Sequence, residues 1–232
     1  MISSLCKREA GRDFKSEICI PKLNCYRINF FERFAPHYDI LIDFLTLGLY
    51  AKFLKRAVEI LSPKNGEEIL DLCSGTGRVT SWIAQAAGKG GKVVGMDIAK
   101  SMVEVAKKRY GRMENLIFQQ QDVTEPWECE SSLDGIFMSF ALHELPETER
   151  REVLERCYLA LKEEGRIVIA DFNPQLLGGV KIILITFFRL FERENLSFFS
   201  FDPYQILKGV GFKKIETFPI LYRVLQITLA QR

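Results

Sequence analysis

Apolar residues recur at helical spacing from Asn29 to Leu61. Phe30, Phe31, Phe34, Tyr38, Leu41, Ile42 and Leu45 fit one face, and Leu49, Phe53, Leu54, Ala57, Val58 and Leu61 fit another. Gly48 divides the two runs, so the pattern predicts a pair of helices that stops at Ser62-Pro63. After Gly66 short apolar runs alternate with amphipathic ones. Strands are expected at 68–73, 92–97, 115–121, 133–140 and 165–172, with helices at 77–87, 99–110 and 147–162. That alternation implies right-handed crossovers and a parallel sheet covered on both faces.

The end of the chain breaks the rhythm. Asp202-Pro203 is a helix start, with Asp as N-cap and Pro in the first turn, and Gly209 and Gly211 end that helix. Residues 212–218 and 222–230 then read as two strands separated by Pro219-Ile220-Leu221. A connection so short cannot make a parallel crossover, so the two are expected to pair antiparallel. The expected fold is α/β, a Rossmann-like doubly wound sheet, mostly parallel with an antiparallel C-terminal strand pair. Residues 1–28 read as an N-terminal extension and 29–232 as a single domain. Within it, 29–61 would form a lid, 66–172 the ligand-binding core, 173–201 an insertion, and 202–232 the closing helix and strand pair.

Composition narrows the function classes. With 232 residues, 47% hydrophobic and 27% charged, the chain can bury a large core and is neither disordered nor collagen-like. Its 32 basic and 30 acidic residues leave a net charge of +2, too balanced to predict a nucleic-acid partner. The six cysteines show no CxxC spacing and only two histidines accompany them, so no metal site or disulfide framework is expected. Lys7, Arg8 and Glu9 are followed by no signal-type apolar stretch, which favours a reduced, cytoplasmic setting. The apolar run 176–191 contains Lys181 and Arg189 and falls short of the ~20 residues of a membrane span.

The stretch with the most chemistry is EILDLCSGTGRVT, residues 68–80. An apolar strand runs into Gly75-Thr76-Gly77 and then into a helix, a turn that lets the backbone approach a ligand. Twenty residues after Gly77 comes Asp97, at the end of the next strand, where a carboxylate can accept from two ribose hydroxyls or cap the following helix. Asp122-Val123 ends the third strand, offering an acceptor for an adenine amino group and an apolar wall. A dinucleotide would want a third glycine where Thr80 stands. S-adenosylmethionine, which has no phosphate, suits Asp71, Asp97 and Asp122 better. Arg78, the one basic residue nearby, reads as solvent-facing.

Residues 68–80, 93–97, 119–123, 134–145 and 161–172 together resemble the successive motifs of class I S-adenosylmethionine-dependent methyltransferases. The run FFERFAPHYDILIDFLTLGLY, residues 30–50, is similar to the N-terminal helices of the ubiquinone/menaquinone-biosynthesis C-methyltransferase group. The likeness covers about residues 29–232 and departs at Cys73-Ser74, where that family usually has Gly. It implies the class I methyltransferase fold with S-adenosylmethionine as cofactor. Asp71, Gly75, Thr76, Gly77, Asp97, Ile98, Asp122, Val123 and Ser139 would line the cofactor, with Ser139 near the reacting sulfur. The resemblance further implies a small acceptor: a quinol-type ring carbon first, a phospholipid amine or another N- or O-acceptor second. A binding module without catalysis is the alternative of another class.

On the acceptor side, His143 with Glu144 follows the fourth strand, and either deprotonates the acceptor or simply starts the loop before the next helix. Tyr38 either lines the active site or packs on the core. Seven of the 18 phenylalanines fall between Phe172 and Phe201. That stretch reads as a lipophilic acceptor pocket or membrane-touching surface, or equally as core or a homodimer contact.

Overall fold

The computed structural model describes residues 32–127, 131–175 and 202–232. The apolar run 176–191 and every phenylalanine of the Phe-rich stretch but Phe172 lie outside the described residues, as do Phe30 and Phe31. A 3₁₀ turn, Ala35–His37, leads into α1 (Tyr38–Leu45) and α2 (Leu49–Leu61). The αβ core follows as β1 (Glu68–Leu72), α3 (Arg78–Ala87), β2 (Lys92–Asp97), α4 (Lys100–Tyr110) and β3 (Leu116–Gln120). It continues with β4 (Leu133–Ser139), α5 (Glu147–Ala160), β5 (Leu161–Phe172), α6 (Pro203–Val210), β6 (Lys213–Ile220) and β7 (Leu225–Gln231).

The seven strands lie in the order β3-β2-β1-β4-β5-β7-β6. β1 to β5 pair parallel, and β7 is antiparallel to both β5 and β6. The strand order reverses at β1, whose neighbours are β2 and β4. In open α/β sheets that reversal leaves a crevice at the carboxyl ends of the strands. The core is two-sided. Phe53 and Leu54 of α2, Ile83 of α3 and Val103 of α4 cover one face, whereas Val153 and Leu154 of α5 and Leu207 of α6 cover the other.

Three sequence expectations change. β5 begins at Leu161, four residues early, and α5 stops at Ala160. Pro219 and Ile220 belong to β6 instead of separating two strands. Proline is tolerated there because β6 is an edge strand, with a single neighbour to take its hydrogen bonds. The third change is in α1. Its buried residue is Asp39, while Ile40, Phe44 and Leu45 are exposed, Phe44 to 76%, and Leu47 just beyond is 85% exposed. The apolar face predicted for this helix therefore does not all pack inward, and an acidic stripe does.

Candidate functional site

The crevice is built from the turns that follow β1, β2, β3 and β4. After β1 the chain turns through Cys73 at φ 57°, Gly75 at 53° and Gly77 at 77°. Cys73 thus holds a left-handed conformation that costs a residue with a Cβ, at a position where the resembled family usually has Gly. Gly77 is needed for a second reason. A Cβ there would lie 2.5 Å from the Phe118 ring and 2.9 Å from Ala106, so the bare backbone lets α3 pack against its neighbours. A Cβ on Gly75 would meet nothing within 4 Å, so this side of the turn faces open space.

Buried carboxylates line the turn. Asp71 accepts the Thr80 hydroxyl at 2.6 Å. Burial pushes its pKa up to about 7 against that bond, and nearby Asp97 adds to the rise. Thr80, which stands where a dinucleotide motif has glycine, is thereby committed to Asp71. At the end of β2, Asp97 accepts from the backbone N–H of Gly75 at 2.7 Å and of Ala99 at 2.9 Å. One oxygen steadies the start of α4 while the other grips the glycine turn. Burial raises Asp97 to about 6, the two N–H groups oppose the rise, and Glu32 adds to it. A carboxylate oxygen accepting one bond retains a second lone pair for a ligand.

The remaining predicted residues sit around this centre. Ile98 lies between Asp97 and Ala99, and its carbonyl accepts from Gln120 at 3.1 Å. Asp122 is half-buried and accepts from the Thr124 N–H and hydroxyl at 2.9 and 2.7 Å, and Val123 beside it is buried. Ser139 ends β4, paired with Ala170 of β5.

The loop after β4 is held from below by Arg150. Fully buried, its Nε donates to the carbonyls of Leu142 at 3.1 Å and Leu145 at 3.0 Å. His143 on this loop is itself buried. Its Nδ1 lies 2.7 Å from Asp171 Oδ1, its backbone N–H donates to Asp171 Oδ2 at 3.2 Å, and its Nε2 lies 3.3 Å from Glu144 Oε1. Burial alone would lower the imidazole pKa; Asp171 and Glu144 more than reverse this and bring it to about 10. Rings close in around the loop. Tyr50 stacks on Phe140 at 5.2 Å between centroids, and Phe172 meets Phe140 edge-on at 5.4 Å and His143 at 5.1 Å. The Tyr38 and Tyr50 hydroxyls are hydrogen-bonded to each other, and burial lifts Tyr38 to about 12.

Sequence reasoning missed the polar clasp between α1 and this site. Asp39 accepts the Thr76 hydroxyl at 2.8 Å and pairs with Arg78 at 3.3 Å and with Arg109. Arg78 also reaches Asp43 at 2.9 Å, so it faces the lid, not solvent. Glu32 accepts the Lys100 and Ser101 N–H groups at 2.7 and 2.9 Å, at the N-terminus of α4. One signal was available: Asp39 and Asp43, four apart on an otherwise apolar helix, point the same way.

The signature of a "Methyltransferase domain" matches residues 69–165. The demethylmenaquinone methyltransferase of Lactobacillus johnsonii is 30% identical over 190 residues, covering 80% of this chain and 77% of that protein. The chain belongs to the class I S-adenosylmethionine-dependent methyltransferases. Its cofactor is therefore S-adenosylmethionine. The 2-phytyl-1,4-naphtoquinone methyltransferase of Thermosynechococcus vestitus is 26% identical over 220 residues, 87% of this chain and 97% of that one. A solved S-adenosylmethionine-dependent methyltransferase from Aquifex aeolicus has the same fold, with a TM-score of 0.56 at 18% identity over 77% of this chain and 88% of that one.

This site fits such a cofactor on its own chemistry. Ser74 Oγ is buried without a hydrogen-bond partner in the protein, beside a Gly75 whose open side a ligand can approach. Two buried carboxyls with raised pKa values, Asp71 and Asp97, suit a ligand that carries positive charge and hydroxyl donors.

Proposed function

We propose that this methyltransferase acts on a ring carbon of a small, lipophilic, quinol-type acceptor. The observation that carries the reading is the ring cluster of Tyr50, Phe140, Phe172 and His143 beside the crevice. Flat apolar walls of this kind complement a planar aromatic ring. The two curated relatives above, named for quinone substrates, support the same acceptor class.

In this reading Asp97 takes the ribose hydroxyls and Ile98 lies along the adenine. Asp122 takes the adenine amino group, and Val123 forms the apolar wall. Asp71 with the Gly75-Thr76-Gly77 turn holds the methionine end, and Ser139 sits near the sulfur. When bound, S-adenosylmethionine supplies an electrophilic methyl group. The protein's work is to hold the acceptor carbon in line with that methyl and to keep water out. Tyr38 and His143 line the acceptor side, with the lid helix α1 above.

A lipophilic acceptor also fits peripheral contact with a membrane from the cytoplasmic side. The exposed Ile40, Phe44, Leu45 and Leu47 support it. Among the described residues no helix is long and apolar enough to cross a membrane.

The test is to incubate the chain with methyl-deuterated S-adenosylmethionine and dithionite-reduced 1,4-naphthoquinone, with phosphatidylethanolamine vesicles in a parallel arm. The label is expected on the naphthoquinone ring. Label found on the phospholipid amine alone would replace the quinol reading.

A further inference from the structure

His143 is the obvious base on the acceptor side, yet its geometry disqualifies it. Both ring nitrogens face carboxylate oxygens, Nδ1 towards Asp171 at 2.7 Å and Nε2 towards Glu144 at 3.3 Å, and the ring is buried between Phe140 and Phe172. Held up to about 10, against the effect of burial, by those two carboxylates, it is an imidazolium at neutral pH and has no lone pair to offer. Glu144 is different. Its side chain is 23% exposed against 5% for His143, and its charge is felt by Tyr38 on α1 and by Cys73 in the turn after β1. The carboxylate sits on the loop that follows β4, at the carboxyl end of the sheet where the crevice lies.

We propose that Glu144 takes the proton of the acceptor's hydroxyl, and that His143, backed by Asp171, positions that carboxylate. The proposal rests on the quinol reading above. The hydroxyl proton moves to Glu144 and its electron pair stays on oxygen, which raises the electron density of the neighbouring ring carbon. That carbon forms its bond to the methyl group as the carbon–sulfur pair returns to sulfur. The ring C–H proton then leaves to water and Glu144 returns its own proton to the oxygen, so one proton is released per turnover. His143 on its own loop lies 3.3 Å from Glu144 with Asp171 of β5 on the far side of the ring, and Tyr38 on α1 and Cys73 after β1 feel the charge of Glu144. Arg150 holds the loop at Leu142 and Leu145, so the His143-Glu144 pair is presented from a fixed backbone.

The experiment compares wild type, Glu144→Gln and His143→Asn on dithionite-reduced 1,4-naphthoquinone from pH 6 to pH 10, with S-adenosylhomocysteine affinity measured by calorimetry. Glu144→Gln is expected to lose about a hundred-fold or more of kcat at pH 7. It should recover most of that near pH 10, where a phenolic hydroxyl with a pKa of about 10 ionises unaided. S-adenosylhomocysteine should bind it within about two-fold of wild type. His143→Asn should lose kcat at pH 7 and likewise recover near pH 10, because a residue that only positions the base is not needed once the hydroxyl ionises unaided. Full activity of Glu144→Gln at pH 7, or a loss that persists at pH 10 with binding intact, overturns the proposal. The wild-type kcat profile at saturating S-adenosylmethionine, where the titration of Asp71 and Asp97 on cofactor binding no longer enters, is a second reading that does not depend on the variant folding: it should lack an inflection near the ordinary histidine value of about 6.5. Such an inflection, abolished in His143→Asn, assigns the base to His143 instead. An inactive wild type overturns the quinol reading and this proposal together, whereas an active wild type with an unaffected Glu144→Gln overturns this proposal alone.

Discussion

The Asp39 carboxylate on the lid accepts the hydroxyl of Thr76, the middle residue of the glycine turn, at 2.8 Å. One side chain thereby ties the position of α1 to the conformation of the turn that the cofactor must contact. Arg78 and Arg109 neutralise Asp39, which is why an acidic residue can face inward while Phe44 stays outside. Asp39→Asn should lower stability by about 1–3 kcal/mol, since two cations lose a buried partner. Hydrogen exchange should show α1 less protected while α3 and α4 keep their protection. Unchanged exchange in α1 would mean that its apolar contacts alone hold it in place.

His143 should remain protonated well above the ordinary histidine range. Its folded pKa of about 10 lies above the unfolded value of about 6.5. The stability it contributes is thus fully present below about 6.5 and is lost as pH rises through about 10. Only two histidines are present, so imidazole NMR separates His143 from the exposed His37. A His143 resonance that titrates between pH 6 and 7 would contradict the pairing with Asp171 and Glu144.

The framework was legible in the sequence because strand and helix periods are local. The run 92–97 matched β2 from end to end, and Asp202 does cap α6, accepting from the Tyr204 and Gln205 N–H groups at 3.0 and 3.3 Å. The polar clasp was not legible. Asp39 meets Arg109 seventy residues away, and Glu32 meets Ser101 sixty-nine away. Nothing in a local period encodes such pairs. Arg78 was misread for the same reason, because its partners Asp39 and Asp43 lie on α1, separated from it by α2 and β1. Pro219 misled because its usual meaning, a break between strands, changes at a sheet edge.

Cofactor binding should release protons between about pH 6 and 7. Burial raises the carboxyls of Asp97 to about 6 and Asp71 to about 7, above the roughly 4 of an unfolded Asp. In the free protein the stability these groups contribute is therefore fully present below about 4 and lost as pH rises through about 6 to 7. Hydroxyl donors and positive charge on the ligand favour the ionised forms, so binding lowers both pKa values. Calorimetry in two buffers of different ionisation enthalpy reads the released protons as a difference in observed heat. Equal heats near pH 6.5 would mean that neither carboxyl meets the ligand.

Changing Phe44 and Leu47 to Ser should cost little stability, because both side chains are already exposed. Sedimentation with anionic liposomes should fall if this surface touches lipid. A marked drop in melting temperature would instead show that these side chains are packed against protein in solution.

Calorimetric titration of the wild-type chain and Asp97→Ala at pH 8 tests the central claim most directly, with S-adenosylmethionine as ligand and NAD as control. Wild type should bind S-adenosylmethionine and ignore NAD. Asp97→Ala should bind it more weakly by about 2–4 kcal/mol, having lost a charged acceptor for two ribose hydroxyls. Equal affinity in a folded Asp97→Ala would reduce Asp97 to a clamp between Gly75 and Ala99, and a wild type that bound NAD but not S-adenosylmethionine would contradict the account.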